Sequence, residues 1–289
     1  MAGQGPLWHT EDVTAWRQNV IIDNRPVLTA LRAAQWVAHC AARRPALVSI
    51  EPGGPRMRLQ AHLRRYGSTS LFMKRAEYEP ALVFLADLAR PDDVAIDIGA
   101  NVGIYSLMLA KRVGQGGQVY AFEPGADALA GLRENLTLNA AAKVTVAPVA
   151  LSDRTGSAPL FHIGGPATFS LGGSGVGESV QLMTLDAWSV STGLMRLDII
   201  KIDVEGHEPA VFRGGAATLI RFHPLVMFEV SYHALERNGY SHDASWIVLR
   251  DHGYRIYKLA TSGLIALNAV EEGNLFAIFP NDKRFPEKC

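Results

Sequence analysis

The sequence predicts a Rossmann-like α/β fold with a mostly parallel sheet, preceded by an N-terminal extension. Three observations predict it. Short apolar runs alternate with helical patterns from residue 94 to 151, giving β-α-β-α-β with short connections. A loop bearing two glycines, Asp97-Ile98-Gly99-Ala100-Asn101-Val102-Gly103, stands between the first run and its helix. The alternation resumes with LDIIKID (197–203) and PLVMFEV (224–230) after an interruption.

Taken in order, VLTALRAAQWVAHCAA (27–42) is apolar and rich in helix formers, so it reads as a helix. EPGGPR (51–56) is a turn by its Gly and Pro content. RRYGSTSLFMKRAEYEP (64–80) is of mixed character and leads into a helix, ALVFLADLA (81–89), which Pro91-Asp92-Asp93 ends. VAIDIG (94–99) has the apolar run and terminal Gly of a buried strand. Ile104, Leu107 and Met108 follow at helical spacing, and GQGG (114–117) is a turn. QVYAFEP (118–124) is a second strand, stopped by Pro124. Leu129, Leu132 and Leu136 fall on one face of a helix over 126–139, and VTVAPVAL (144–151) reads as a third strand. APLFHI (158–163) and VQLMTL (180–185) read as strands around a Gly/Ser-rich loop, a hairpin-like insertion. Beyond the fourth strand, helices are expected around 208–221 and 243–252, and strands at YRIYKL (254–259) and NLFAIFP (274–280). No internal repeat or low-complexity linker is visible.

Composition narrows the class. The chain has 289 residues, 48% hydrophobic and 19% charged, which suits a globular protein with a sizeable core. Lys+Arg and Asp+Glu are equal at 28 each, so no basic excess offers itself to a nucleic-acid backbone. The N-terminal residues lack the charged and apolar regions of a signal peptide, and no run approaches the 18 apolar residues of a membrane span. Cys40 and Cys289 lie far apart, too few for a disulfide framework or a zinc site. Two unpaired thiols fit a reducing compartment, and the expected location is cytoplasmic.

The loop after the first strand carries the strongest chemical signal. Its glycines permit close backbone approach to a ligand, and the following helix N-terminus supplies free N–H donors. A dinucleotide site usually shows G-x-G-x-x-G facing a pyrophosphate. Here the spacing is G-x-x-x-G, with Asp97 two positions before Gly99. A carboxylate repels a pyrophosphate and attracts a sulfonium or an ammonium, so the charge favours S-adenosylmethionine over NAD. The alternative for Asp97 is a cap on its own loop. Glu123, at the end of the second strand, can accept both hydroxyls of a ribose; the alternative is a surface acid before Pro124.

The segment Lys201-Ile202-Asp203-Val204-Glu205-Gly206-His207-Glu208 is the third signal. Strand alternation puts Lys201, Asp203 and Glu205 on one side. Charges at the end of a central parallel strand are costly unless they line a cleft or pair, and a Lys201–Asp203 ion pair is the rival reading. If a hydroxyl is methylated, the candidate general bases are Asp203, Glu205, His207, Glu229 and His233, with Asp203 or Glu205 favoured. Glu229 ends the strand PLVMFEV, and His233 follows in what reads as a loop. Asp203, Glu205 and Glu208 offer hard oxygen ligands, but no metal is expected to be required.

Together, DIGANVGIYSLMLA, VYAFEPG, VALSDRTG, TLDAW, LDIIKIDVEGHEPAVFRGG and the closing NLFAIFP resemble the FkbM family of class I methyltransferases, from about Tyr78 to about Pro280. KIDVEGxE is the most family-specific element. The resemblance implies a seven-stranded, mostly parallel sheet with an antiparallel edge hairpin. It also implies S-adenosylmethionine as cofactor and methyl transfer, usually to oxygen, with a small-molecule hydroxyl such as a sugar or secondary metabolite as acceptor. It carries cofactor binding to Asp97, Gly99, Asn101, Gly103, Glu123 and Asp203. Ser152 and Asp153 follow the third strand, where such enzymes commonly bind adenine; for Asp153 a plain turn residue is the rival reading. His207 falls where the family motif is open. Residues 1–75 lie largely outside the resemblance and divide off as an N-terminal helical extension, a candidate cap on the acceptor pocket; residues 76–289 form the Rossmann-like domain. A homo-oligomer is an open expectation.

Three other readings compete. An NAD-dependent oxidoreductase predicts G-x-G-x-x-G in the first loop, which is absent. A catalytically silent Rossmann-like domain has no need of Asp97, Glu123 and Asp203 at strand ends. A nucleic-acid amino-methylating enzyme would carry an N/D-P-P-Y/F tetrapeptide where IDVEG stands.

Overall fold

A computed structural model describes residues 25–60, 66–162, 169–173 and 177–285. The N-terminal residues, half of the Gly/Ser-rich loop and Cys289 lie outside the described residues. Two units separate, one ending at Pro80 and one beginning at Ala81.

In the first unit, helix α1 (Pro26–Ala41) begins on Pro26, whose missing N–H costs a helix nothing there. Strands β1 (Ala46–Ser49) and β2 (Arg56–Leu59) pair antiparallel, Ala46 opposite Leu59, with the Gly/Pro turn between them. Both strands escape detection in the sequence, being four residues each. Ala46, Val48, Met57 and Leu59 alternate inward. Helix α2 (Tyr66–Lys74) follows, then a 3-10 turn, Arg75–Glu77. Trp36 of α1 meets Phe72 of α2 with ring centroids 4.9 Å apart. Cys40 is a free thiol.

The second unit opens with helix α3 (Pro80–Leu88), whose first residue lies at the boundary. Its parallel strands are β3 (Val94–Ile98), β4 (Gln118–Phe122), β5 (Val144–Ala147), β10 (Ile199–Ile202) and β11 (Leu225–Val230). Strands β12 (Arg255–Ala260), β13 (Gly263–Ala266) and β14 (Gly273–Ile278) complete an eight-stranded sheet, ordered β13-β12-β14-β11-β10-β3-β4-β5. The sheet is therefore one strand larger than the seven expected: β13 folds back on β12 as an antiparallel hairpin at the edge. β14 lies antiparallel between β11 and β12. Between β3 and β10 the direction of winding reverses, which is where open α/β sheets bind ligands, at the carboxyl ends of their strands.

Helices α4 (Ile104–Val113) and α5 (Ala126–Leu138) follow β3 and β4. The expected third strand is broken. Pro148 has no N–H for a ladder, so β5 stops at Ala147 and β6 (Ala150–Leu151) joins a second sheet. That sheet, ordered β6-β9-β7-β8, contains β7 (Gly156–His162), β8 (Phe169–Ser170) and β9 (Glu178–Met183). It is the insertion read from the sequence, with β7 antiparallel to both β8 and β9. β9 ends at Met183, short of the expected Leu185. The Thr184 side chain accepts from Ala187 N at 3.1 Å and starts helix α6 (Leu185–Ser191). The helix expected over 208–221 is two, α7 (Glu208–Gly214) and α8 (Ala216–Phe222), parted at Gly215. Helices α9 (Tyr232–Arg237) and α10 (Ala244–Asp251) follow β11, so His233 lies in a helix rather than a loop.

The core runs along the central strands, buried on both faces as parallel strands require: Ile96, Ile98, Ile200, Ile202, Val226 and Phe228 on one, Ala95, Ile199, Leu225 and Met227 on the other. Trp188 of α6 packs edge-on against Tyr120 and Phe122, centroids 4.8 and 5.0 Å away.

Candidate active site

Strand β3 pairs with β10 in parallel register, placing Lys201 opposite Asp97. Both side chains are buried, 4% and 0% exposed. Lys201 Nζ lies 3.4 Å from Asp97 Oδ1 and donates to the Gly99 carbonyl at 3.1 Å. Asp203 Oδ2 is farther, at 3.7 Å, and its side chain is 42% exposed. The lysine's closer carboxylate is thus on the neighbouring strand. Ser106 Oγ donates to Asp97 Oδ2 at 2.6 Å, and the Tyr105 ring lies 4.9 Å beneath the ammonium.

The glycine loop is bound to the end of β4: Gly99 N and Ala100 N both donate to the Phe122 carbonyl at 3.0 Å. Gly99 has φ +73, and a Cβ there would sit 1.9 Å from the Asp203 carbonyl oxygen. Glycine is required here by the approach of β10's end as well as by the backbone. Gly103, φ +91, caps α4, and Asn101 takes φ +48. Glu123 is buried beside this loop. Its Oε2 accepts from Asn101 N and its Oε1 from Gly125 N, both at 2.8 Å. Burial nevertheless pushes its carboxyl up to about 7, against those two bonds.

β10 ends at Ile202, so strand alternation does not extend to Glu205. Instead Glu205 is in the left-handed region, φ +56, followed by Gly206 at φ +91. A Cβ on Gly206 would sit 2.2 Å from the Ala234 carbonyl oxygen. The Glu205 carbonyl accepts from Asn238 Nδ2 at 3.0 Å, Ser170 Oγ at 3.2 Å and Arg237 Nη2 at 3.3 Å. The turn is thereby gripped from α9, its cap and the second sheet. None of these three donors was visible as a site residue, since they come from distant segments. Ser106, nine residues after Asp97 in α4, had only its place after the motif to mark it.

Carboxyls gather at this end of the sheet. Single oxygens of Asp203, Glu208 and Glu229 lie within 4.8 Å of one another, and these three could hold a cation. Glu208 is buried, and its Oε1 accepts from Val204 N at 2.9 Å and Gly206 N at 3.3 Å. Burial, then the charge of Asp203, raises Glu205 to about 7. Burial, then Asp203, Glu205 and Glu208, raises Glu229 to about 9.

His207 points elsewhere. Its Nε2 lies 2.9 Å from Ser152 Oγ, and burial lowers its imidazole to about 4. Ser152 is fully buried. Asp153 Oδ2 accepts from Arg213 Nη2 at 3.1 Å; burial raises its carboxyl, but the guanidinium and Ser152 bring it below the ordinary range. His233 is exposed on α9. The structure thus brings Asp97, Gly99, Lys201, Asp203, Glu205, Glu208 and Glu229 to one end of the sheet, with Asn101 and Glu123 on the adjoining loop. It gathers Ser152, Asp153 and His207 beside β6.

These features define a Rossmann-like domain with an acid-rich sheet end at its switch point. The methyltransferase FkbM domain model matches residues 97–256, more than half of the chain. The chain belongs to the methyltransferase FkbM domain family. It is similar to the 2-O-methyltransferase NoeI of Sinorhizobium fredii, 32% identical over 157 residues, 46% of this chain and 62% of the relative. It is similar to the hexuronic acid methyltransferase AglP of Haloferax volcanii, 27% identical over 190 residues, 63% of this chain and 74% of the relative. The AMB antimetabolite synthetase AmbE of Pseudomonas aeruginosa is 27% identical over 234 residues, 66% of this chain but 11% of that protein. The chain therefore spans less than two thirds of NoeI and a small part of AmbE. A solved structure, methyltransferase FkbM from Methylobacillus flagellatus, is 15% identical with a TM-score of 0.44, covering 92% of this chain and 59% of that one. Among the described residues, no helix is long and apolar enough to cross a membrane.

Proposed function

We propose that the chain is an S-adenosylmethionine-dependent O-methyltransferase acting on a hydroxyl of a small molecule, a sugar or a secondary metabolite. The observation that carries the reading is the sign of charge at the switch point. Asp97 and Asp203 lie 3.4 and 3.7 Å from one buried lysine, whose charge also acts on Glu123, Glu205 and Glu229. Such a cluster opposes a pyrophosphate, which tells against NAD, and suits a cofactor that carries sulfonium and ammonium charges. The donor set fits an adenosyl group: Glu123 is fixed by two backbone N–H groups and keeps lone pairs for ribose hydroxyls. The names of NoeI and AglP support oxygen on a sugar as the acceptor atom.

The sulfonium supplies the reactive methyl; the protein's share is to align the acceptor, exclude water and take its proton. Glu205 is the base this reading favours. Raised to about 7, its carboxyl suits proton transfer near neutrality. Asp203 stands beside it as the alternative. Glu229, at about 9, is mostly protonated there, and His207, at about 4, is a weak base engaged with Ser152.

Titration calorimetry with S-adenosylhomocysteine and with NAD tests the cofactor. Only S-adenosylhomocysteine should bind and raise the melting temperature. Replacing Glu123 by Ala should weaken that binding by about 1–3 kcal/mol, the usual worth of charged hydrogen bonds. Binding of NAD without S-adenosylhomocysteine would sink the reading.

A further inference from the structure

We infer that Arg75 and Arg32, in the N-terminal unit, form a binding site for a compact oxyanion of the carboxylate or phosphate class. This inference is independent of the chemistry proposed for the larger unit. Arg75 opens the turn after α2 in the left-handed region, φ +58, a conformation that a residue with a Cβ adopts at a cost. Its guanidinium lies over the Phe72 ring, 4.5 Å from the centroid. Phe72 is itself buried against Trp36 of α1. The Arg75 Nη1 group is buried and, among the described residues, has no hydrogen-bond partner. A buried donor on a cation is expensive to leave unmet, and an aromatic face answers its charge only in part. Such a group calls for an acceptor that the described residues do not supply.

A second cation stands close by. Arg32, on α1, donates through Nη1 to the carbonyl of Met73 in the last turn of α2. Burial, and then the charge of Arg32, lower the Arg75 guanidinium to about 10. The carboxylate that acts on Arg32 is Glu77, and Glu77 is already ion-paired with Arg25 at 2.9 Å. Arg25 adds its own positive charge against Arg32. Arg75 thus has an unanswered N–H and feels the positive charge of Arg32, while Glu77 is held by Arg25. A planar guanidinium meets a carboxylate or phosphate through paired N–H donors, and two of them can share one oxyanion. The ligand chemistry that answers the repulsion and the unmet donor together is a small anion with two or more oxygens.

The test uses the full chain in a buffer free of oxyanions. Calorimetry is run with inorganic phosphate, glucuronate and glucose. Phosphate binding marks a free inorganic anion as the source, and glucuronate alone marks the acid group of an organic molecule; glucose should not bind. Arg75→Gln and Arg32→Gln should each weaken the anion at least tenfold. Arg75→Lys keeps the charge but loses the fork, so it should fold as the wild type and bind more weakly. Without anion, Arg75→Gln should melt at or above the wild-type temperature, because it removes an unpaired buried cation, and it should lose the anion-dependent rise. The inference is overturned if neither anion binds the wild type, or if the substitutions leave affinity unchanged. It is equally overturned if Arg75→Gln melts below the wild type in anion-free buffer, which would make the guanidinium a structural brace.

Discussion

Glu208→Gln removes one negative charge from an enclosed position while keeping an oxygen for the N–H groups of Val204 and Gly206. The Glu208 side chain is 1% exposed, and burial, then Asp203, hold its carboxyl at about 7 against the ordinary 4.5. The folded protein therefore keeps this proton more tightly than the unfolded chain does. The stability this gives is whole below about pH 4.5 and is lost as pH rises through about 7. The gap between 4.5 and about 7 is worth about 3 kcal/mol. Glutamine has no such loss. Relative to the wild type, Glu208→Gln should gain about 2.5 kcal/mol between pH 5 and pH 8, or roughly 5–10 °C in melting temperature for a chain of this size. Thermal unfolding followed by circular dichroism at pH 5, 6, 7 and 8, at constant ionic strength, reads the difference. Glu205 and Glu229 titrate in overlapping ranges, so the quantity is variant minus wild type rather than either curve alone. A difference constant across the range would mean that Glu208 is already ionised at pH 5, and the reasoning from burial would fail.

Two further substitutions probe the same end of the sheet. Lys201→Met should cost about 3–5 kcal/mol in urea unfolding, because it strands the buried Asp97. Adding Asp97→Asn should recover much of that; a double variant no better than the single would point to Asp203 as the partner that counts. Gly99→Ala should lower the unfolding free energy by upwards of about 3 kcal/mol, since its Cβ would overlap the Asp203 carbonyl and its φ is +73. An unchanged urea midpoint would show that the loop can relax away from β10.

The strands around the site were legible because period and punctuation are local: VAIDIG and QVYAFEP carry both the apolar run and its stop. The break at Pro148 was written in the sequence too, but the apolar residues on either side outweighed a single missing N–H. β1, β2 and β13 are four residues each, too short for a period to declare itself. The partner of Lys201 could not be read, because sequence proximity favoured Asp203 while the parallel register sets Asp97 opposite. Reading Glu205 by strand alternation failed where the strand stops at Ile202; the Gly206 that follows was the available signal of a turn. The hold of Ser170, Arg237 and Asn238 on the Glu205 carbonyl depends on tertiary closure, and no local pattern announces it.

The position of β14 bears on how the chain is made. β12 and β13 precede it in the chain, yet β14 occupies the place between β12 and β11. Until the ribosome has delivered Ile278, the β12–β13 hairpin has nothing to pair with in the sheet, and the edge of β11 is bare. A nascent chain stalled in this interval presents an apolar strand, Leu225–Val230, with one row of N–H and C=O groups unmet. That strand is a natural template for a second chain, and the interval is the time when a chaperone would be of use. Slow translation after residue 230 should therefore lower the soluble yield, whereas a pause before β3 would leave it unaffected.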